Sequence, residues 1–287
     1  MKSILSLLTI LLLAGTFEAA QGADQKKNNL TITWNKNYLE IHGDHLPGKI
    51  MRVHYLEAYC RAGSTDREWR KTTIAHKTEL ISASKNKKEI HLKSTLKDGV
   101  TVMHTITVGS NEITFQLVAN NPTKTTSLAH WAQPCVRVDK FTGRNKVTYL
   151  SKSFIFLDGK LARMPTRNWA TKARYVPGQV WAPQGVNRND VNPRPLSGLV
   201  PDNGLIGCFS ADEKMLYATA WEPYQELFQG VATCLHSDFR IGGLKPGETK
   251  KIRGKIYLMK ANVDQLLKRY QKDFPEHFSS KNKKNSD

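Results

Sequence analysis

The chain has 287 residues, of which 43 are lysine or arginine and 25 are aspartate or glutamate, so its formal charge is +18 at pH 7. After residue 22 no stretch approaches the roughly 20 apolar residues that a membrane helix needs, and no membrane span is predicted. The chain has no Walker loop, dinucleotide fingerprint or nucleophile elbow, which argues against nucleotide-dependent and α/β-hydrolase chemistry.

The first 22 residues have the pattern of a secretory signal peptide. Lys2 supplies the charged start, Ile4 to Ala14 is an apolar run, and Ala20-Gln21-Gly22 is a small-x-small cleavage pattern. We therefore expect cleavage after Gly22. The mature chain is predicted to be secreted or periplasmic, and it is long enough for one large domain.

Apolar and polar residues alternate along most of the mature chain. The alternation is clear in Thr101 to Val108, in Ile113 to Val118 and in Lys250 to Leu258. A period of two is typical of half-buried antiparallel strands, and turns rich in glycine, proline and asparagine separate these runs. The sequence predicts a mainly β protein, a single antiparallel β-sandwich domain over residues 23–278, followed by a basic disordered tail over residues 279–287.

The central part of this domain, residues 159–204, is predicted to be a long loop. It has almost no alternation, and it contains six of the twelve prolines. Trp169, Tyr175 and Trp181 lie within it, and disordered segments are poor in such aromatic residues. Residues 151–200 carry eight basic side chains against two acidic ones. Arginines interleaved with aromatic rings suit an acidic sugar chain, because guanidinium groups bind carboxylate or sulfate while rings stack on sugar faces.

One helix is predicted, at the C-terminal end. Asn262 can cap it, and Gln265 stands at the third helical position. An apolar stripe follows at helical spacing, formed by Val263, Leu266, Leu267, Tyr270 and Phe274. We expect this helix to pack on the sandwich in a structural role.

Four cysteines, Cys60, Cys135, Cys208 and Cys234, would enter an oxidising compartment after export. The sequence does not fix their pairing. Cys208 with Cys234 is the preferred pair, because we read their segments as consecutive strands, and free buried cysteines are the alternative. No CxxC or HExxH spacing is present, so neither a metal site nor a cofactor is predicted.

A polar row occurs in the stretch Cys234 to Glu248. His236, Asp238 and Arg240 stand at alternate positions, which a strand would point to one face. Asp238 could orient His236 for proton transfer, and Arg240 could neutralise an acidic substrate. A solvent-facing ladder of charged pairs is the alternative, since polar-out alternation is the rule for half-buried strands.

A second polar row begins at His130 and includes Trp131, Gln133 and Arg137. If both rows line one cleft, His130 and His236 converge there as candidate catalytic groups, with Gln133 and Trp131 binding substrate. For Trp131, core packing is the alternative.

A third candidate stretch contains Trp221, Glu222, Tyr224 and Glu226. Glu222 or Glu226 could act as a base, and Tyr224 as an acid or base if neighbouring arginines make its proton labile. Equally, these residues could hold turns at the rim by hydrogen bonds.

The run Val108 to Thr123, "VGSNEITFQLVANNPT", and the late Leu244 to Leu258 stretch, "LKPGETKKIRGKIYL", resemble secreted β-supersandwich proteins of the galactose-mutarotase-like type. The resemblance covers most of the mature chain as a pattern of strands. It implies a carbohydrate-active fold, with a sugar bound on a concave sheet by His, Arg, Trp and acidic residues. It transfers no catalytic residue to a position of this chain.

The leading hypothesis is an exported β-sandwich that binds an acidic polysaccharide or oligosaccharide under the central loop, and acts on it as a lyase or epimerase. The net charge favours such polyanionic partners over nucleic acid outside the cell, although solubility alone could account for it. Arg174 and Arg240 would neutralise the acid, while Tyr175, Trp181 and Trp221 would contact the sugar. The alternative is a noncatalytic envelope protein that uses the same basic surface. The sequence does not predict an oligomeric state.

Overall fold

The computed structural model of the chain describes residues 29–279. The predicted signal peptide lies outside this range, and so does the predicted tail apart from residue 279, which ends a short helix. Within the described residues, no helix combines the length and the apolar character needed to cross a bilayer.

Seventeen strands and four helices make up the described chain. The strands are β1 (Thr31–Asn35), β2 (Tyr38–His42), β3 (Ile50–Cys60), β4 (Thr73–Ile74), β5 (His76–Ala83), β6 (Glu89–Leu96), β7 (Thr101–Val108), β8 (Glu112–Asn120), β9 (Trp131–Arg137), β10 (Ser153–Leu157), β11 (Lys160–Arg163), β12 (Gln179–Trp181), β13 (Ile206–Phe209), β14 (Met215–Glu222), β15 (Tyr224–Gln229), β16 (Cys234–Arg240) and β17 (Thr249–Lys260). The helices are α1 (Trp69–Thr72), α2 (Lys146–Lys152), α3 (Val263–Asp273) and α4 (Glu276–Ser279).

The strands form two antiparallel sheets. Sheet A has the order β1-β2-β3-β9-β16-β15-β12, with β4 beside β3, and sheet B has the order β11-β10-β13-β14-β17-β8-β7-β6-β5. The predicted mainly β, antiparallel fold is confirmed. The alternating runs identified in the sequence lie in β7, β8 and β17, which are neighbours in sheet B.

The main hydrophobic core lies between the two sheets. In strands such as β2, β6 and β8 the side chains that enter it stand at alternate positions, as the pleat requires. Leu39 and Val53 of sheet A and Phe115 and Leu117 of sheet B are at most 1% exposed within this cluster. Burial of this apolar surface is the main favourable term in folding.

The C-terminal helix covers the part of the outer face of sheet B that is formed by β10, β13, β14 and β17. Asn262 caps α3 by accepting a hydrogen bond from the backbone N–H of Gln265 at 2.8 Å. Leu266, Tyr270 and Phe274 are at most 2% exposed and pack on this face in a second hydrophobic cluster. The predicted helix, its cap and its packing role are confirmed.

The outer face of sheet A is covered by residues 159–204, here named the central segment. Val180, Val186 and Val191 form a small apolar cluster with Phe228 of β15. The prediction of a loop without strands is wrong in one respect, because β11 and β12 lie within this range and pair with β10 and β15. β16 therefore has packed layers on both sides, the main core on one and the central segment on the other.

Candidate functional site

A cavity of about 270 Å³ lies between the outer face of sheet A and the central segment. Strands β9 and β16 form its floor, with Gln133, Cys135 and Arg137 from one and Cys234 and His236 from the other. The remaining wall comes from β3, α1 and the central segment, and includes Glu57, Trp69, Tyr175, Asn192 and Arg194.

Strand alternation explains why these floor residues share one face. Along β16, Leu235 and Phe239 enter the main core, so His236 and its alternate neighbours point the other way. β9 and β16 pair in a constant register, with Leu235 opposite Val136 and Phe239 opposite Ala132. This register places His236 opposite Cys135, and both side chains enter the cavity.

Cys234, His236 and Asp238 form a connected row on β16. The His236 Nε2 atom is 3.2 Å from the Cys234 Sγ atom, and its Nδ1 atom is 3.6 Å from Asp238 Oδ1. His236 is 1% exposed and Asp238 is fully buried. The prediction that these two residues could form a solvent-facing ladder is wrong, because the central segment covers this face of the strand.

The electrostatics of the row follow from close packing. A hydrogen bond from Cys135 lowers the pKa of the Cys234 thiol well below its usual value, although burial acts against this. Burial alone would lower the pKa of His236, but the neighbouring Cys234 and Asp238 raise it to about 10. Burial raises the pKa of Asp238 to about 6. These directions correspond to a thiolate next to an imidazolium.

A second buried acid lies beside Asp238. Glu226 of β15 is its partner in the strand register, and both are fully buried. Burial and the nearby Asp238 raise the pKa of Glu226 well above its usual value, so the pair avoids two adjacent negative charges. The carboxyl of Glu226 accepts a hydrogen bond from the Asn192 backbone N–H at 3.0 Å. This bond ties the central segment to the sheet.

A series of side-chain hydrogen bonds holds Gln133 in place on the β9 side of the floor. The Asn192 side-chain amide donates to Gln133 Oε1 at 3.2 Å, and the Gln133 amide donates to Glu57 Oε2 at 2.9 Å. Burial alone would raise the pKa of Glu57, but hydrogen bonding from His54 and the nearby charge of His236 lower it to about 2. Glu57 is therefore a half-buried carboxylate with its oxygens directed at donors.

A second cavity of about 570 Å³ lies beside the first on the same sheet. Arg137 and Ala232 line both, and the second also contains Lys36, Tyr38, Arg52 and Lys140. We name the two cavities together the groove. It carries five basic side chains, Lys36, Arg52, Arg137, Lys140 and Arg194, against three acidic ones, Glu40, Glu57 and Asp139. Glu40 is already paired with Arg52 at 2.9 Å.

Of the four predicted catalytic residues, only His236 lines this groove. His130 lies at the end of β9, with Nδ1 3.6 Å from Asp190, and does not line the cavity. Glu222 and Tyr224 face the C-terminal helices instead. Glu222 Oε2 is 2.5 Å from His277 Nε2, and the Tyr224 ring lies 5.2 Å from the His277 ring. The expected convergence of the two predicted histidines is therefore wrong.

The three tryptophans predicted to bind sugar are core residues. Trp131 and Trp181 are fully buried, and Trp221 is 2% exposed. Trp221 packs between Phe115 and Phe239, with ring centroids 5.0 and 4.8 Å away. Their expected role as stacking platforms is wrong, because no face of these rings reaches solvent.

The other predicted substrate-binding residues divide into two groups. Gln133 and Tyr175 line the cavity, as expected. Arg174 binds the backbone carbonyl of Asp66 at 2.9 Å, Arg240 binds the Gln225 side chain at 2.5 Å, and neither of them lines the cavity.

Several cavity residues were missed by sequence reasoning. Arg137 stands in the second polar row and Arg194 is one of the basic residues of the central segment, but the sequence assigned neither of them a role. Cys135 and Cys234 do carry a signal, since each stands in one of the polar rows at a position that shares a face with the other polar residues. All four cysteines are free and buried, and the expected Cys208–Cys234 disulfide is not formed. Cys208 lies in β13 of sheet B.

No protein-family model and no curated protein matches the chain. Among solved structures it is similar to a galactose mutarotase-like protein from Lactobacillus casei, with 8% identity and a TM-score of 0.42, covering 80% of this chain and 99% of that one. It is also similar to a galactose mutarotase related enzyme from Lactobacillus acidophilus, with 9% identity and a TM-score of 0.40, covering 81% of this chain and 98% of that one. A third similar structure is a galactose mutarotase-like protein from Clostridium acetobutylicum, with 8% identity and a TM-score of 0.42, covering 80% of this chain and 94% of that one.

These neighbours are of the galactose-mutarotase-like type that the sequence pattern resembles. Identities of 8% to 9% at these TM-scores assign no activity to this chain. The two-sheet architecture follows from the strand pairing itself, and the chemistry of the site follows from the groove.

Proposed function

We propose that this chain is an exported protein that binds a uronate- or sulfate-bearing glycan along the groove and acts on it as a lyase or epimerase. The observation that carries the proposal is the position of Arg137 and Arg194. Both arginines line the cavity that also contains Trp69 and Tyr175. Guanidinium groups bind carboxylate and sulfate through paired hydrogen bonds, and aromatic rings provide apolar contact for sugar rings.

The second cavity extends this reasoning from one sugar unit to a chain. Lys36, Arg52 and Lys140 line it, and Arg137 stands at the junction. A string of basic groups along a groove suits a polymer that carries repeated negative charges, and the net charge of +18 favours association with such a polymer. The signal-peptide pattern supports an extracytoplasmic glycan as the partner.

Tyr175 is the residue that we assign to proton transfer. Lyases and epimerases of uronates both begin by removing the proton next to the carboxylate, which needs a base near a cationic group. The Arg194 guanidinium lies 5.6 Å from the centre of the Tyr175 ring, and both line the cavity. The Tyr175 hydroxyl accepts a hydrogen bond from the Trp69 backbone N–H at 3.1 Å, which fixes its position. We therefore assign to Tyr175 the acid or base role that the sequence suggested for Tyr224.

The test is a panel of uronate-bearing, sulfated and neutral oligosaccharides, measured by calorimetry for binding and by ultraviolet absorbance for unsaturated product, with NMR for epimerised product. Arg137→Ala and Arg194→Ala should each weaken binding of the acidic sugars about 10- to 100-fold, the loss expected for a charge-assisted hydrogen bond. The matched control is Arg174→Ala, which removes an arginine from the central segment without touching the cavity.

Tyr175→Phe separates binding from chemistry. It should lower turnover about 100-fold or more and leave affinity nearly unchanged, because only the proton-transfer group is lost. Binding of acidic sugars without turnover in the unmodified chain would leave the noncatalytic envelope protein as the function. Equal affinity for neutral and acidic sugars, or no binding of either, would refute the proposal.

A further inference from the structure

Three side chains at the floor of the cavity have the composition of a metal-binding set. The ligand atoms of Cys135, Cys234 and His236 all lie within 4.8 Å of one another. The three residues are 1%, 4% and 1% exposed. They come from two neighbouring strands, and strands fix side-chain positions more firmly than loops do. Cys234 and His236 are two residues apart, but Cys135 comes from a distant part of the chain, so no short motif contains all three ligands.

The separations fit a tetrahedral ion. Zinc–sulfur and zinc–nitrogen bonds of about 2.3 and 2.0 Å place neighbouring ligand atoms roughly 3.5 to 3.8 Å apart in a tetrahedron. The 3.2 Å between His236 Nε2 and Cys234 Sγ and the 4.8 Å limit for the whole set bracket this range. Two thiolates and one imidazole are soft and borderline donors, which select zinc over calcium or magnesium.

The surroundings of His236 provide an independent observation. A metal-bound histidine commonly directs its other ring nitrogen at a carboxylate, which fixes the ring and its tautomer. Here Nδ1 faces Asp238 Oδ1 at 3.6 Å, while Nε2 faces the thiols. Within residues 29–279, His236 Nδ1 and both Asp238 oxygens are buried and have no hydrogen-bond partner. Buried polar groups without partners are costly, and a small inward movement of the ring towards Asp238 would satisfy Nδ1 and one carboxylate oxygen.

Charge and access are also favourable. Arg137 is opposite Cys234 in the strand register, so a cationic group lies beside the thiols at the floor of the cavity. All three ligands line the cavity, so an ion can enter from the groove.

We propose that Cys135, Cys234 and His236 bind one zinc ion, with Asp238 as the partner of the histidine and the fourth coordination position open to the cavity. Sites with three protein ligands and one open position are the catalytic type of zinc site, whereas structural sites are closed by four. The inference does not depend on the glycan, although an acidic group of a bound sugar could complete the coordination.

The test uses the full chain, reduced and treated with a chelator. Calorimetry with Zn²⁺ should give one ion per chain. Co²⁺ should give the intense thiolate-to-metal absorption of a sulfur-bound ion. Cys135→Ser and Cys234→Ser should abolish the cobalt band, and Asp238→Asn should weaken zinc binding about 10- to 100-fold while keeping the band. Zinc should also raise the melting temperature of the unmodified chain, since binding to the folded state alone stabilises it.

Cys208→Ser is the matched control, because Cys208 is an equally buried cysteine that lies in sheet B. It should bind zinc as the unmodified chain does. Circular dichroism of each metal-free variant separates loss of a ligand from loss of the fold. The proposal is overturned if the folded, reduced chain binds no zinc, or if Cys234→Ser binds it unchanged. A Cys135–Cys234 disulfide in protein recovered from the exported fraction would overturn it too. No glycan is present in these measurements, so their outcome is independent of the proposed function.

Discussion

His104 makes the stability of the sandwich sensitive to acid. Its ring lies between the two sheets, where Nδ1 is 2.9 Å from the Tyr55 hydroxyl and Nε2 is 3.0 Å from the Ser94 hydroxyl. It is 1% exposed. Burial lowers the pKa of His104 from its usual 6.5 to about 3, and the nearby His76 adds to this. The perturbation that we propose is His104→Gln, which keeps a hydrogen-bonding group but removes the titration.

The magnitude follows from linkage. Above pH 6.5 the ring is neutral in both states and contributes no pH dependence. As the pH falls from 6.5 towards 3, His104 binds a proton in the unfolded chain but stays neutral in the folded chain, so the free energy of unfolding falls. The loss is about 1.4 kcal/mol per pH unit within this window, which amounts to about 2 kcal/mol between about pH 7.5 and pH 5.

Urea unfolding at both pH values measures the effect. Other groups also titrate, so the quantity of interest is the difference between the two chains: His104→Gln should lose about 2 kcal/mol less than the unmodified chain on acidification. Ile90→Val on the neighbouring strand is the control. It should cost about 0.5 to 1.5 kcal/mol at both pH values and keep the original pH dependence. If His104→Gln retains the full acid loss, the assignment of a buried neutral ring is refuted.

Two further predictions concern packing. Trp221→Ala should lower the free energy of unfolding by about 3 to 5 kcal/mol, because it leaves a cavity between Phe115 and Phe239. It should not alter the sugar affinity of the folded fraction. A loss of sugar binding without destabilisation would show instead that Trp221 contacts the sugar. Asn262→Ala should cost about 0.5 to 2 kcal/mol through loss of the helix cap, measured by thermal unfolding, and an unchanged stability would show that α3 is held by its packing alone.

The fold could be predicted where the signal is local. The alternation of apolar and polar residues in β7, β8 and β17 indicates which side chains share a face, and this pattern is enough to identify each of them as a strand. The cap at Asn262 and the stripe ending at Phe274 likewise lie within one helix length. Short strands such as β12 could not be predicted, because three residues are too few to show an alternating pattern. In addition, β12 pairs with a distant segment of the chain.

The site could be predicted only in part, for a different reason. Alternation separates two faces but does not tell which layer covers each of them. The row of His236 and Asp238 has the pattern of a solvent-facing surface, yet it lies beneath the central segment. That covering depends on bonds such as the one from Asn192 to Glu226, which join distant parts of the chain. Cys135 and Cys234 meet only through the β9–β16 register, so neither could be assigned a partner beforehand.

Gly204, where the central segment returns to sheet B, is bonded to both sides of the molecule. Its N–H donates to the Tyr270 hydroxyl of α3 at 2.9 Å, and its carbonyl accepts from Ser237 of β16 at 3.1 Å. The helix on the back of the sandwich is thus mechanically linked to the strand that bears the three-residue row. We therefore expect a change that loosens the C-terminal helix to disturb the position of β16 as well.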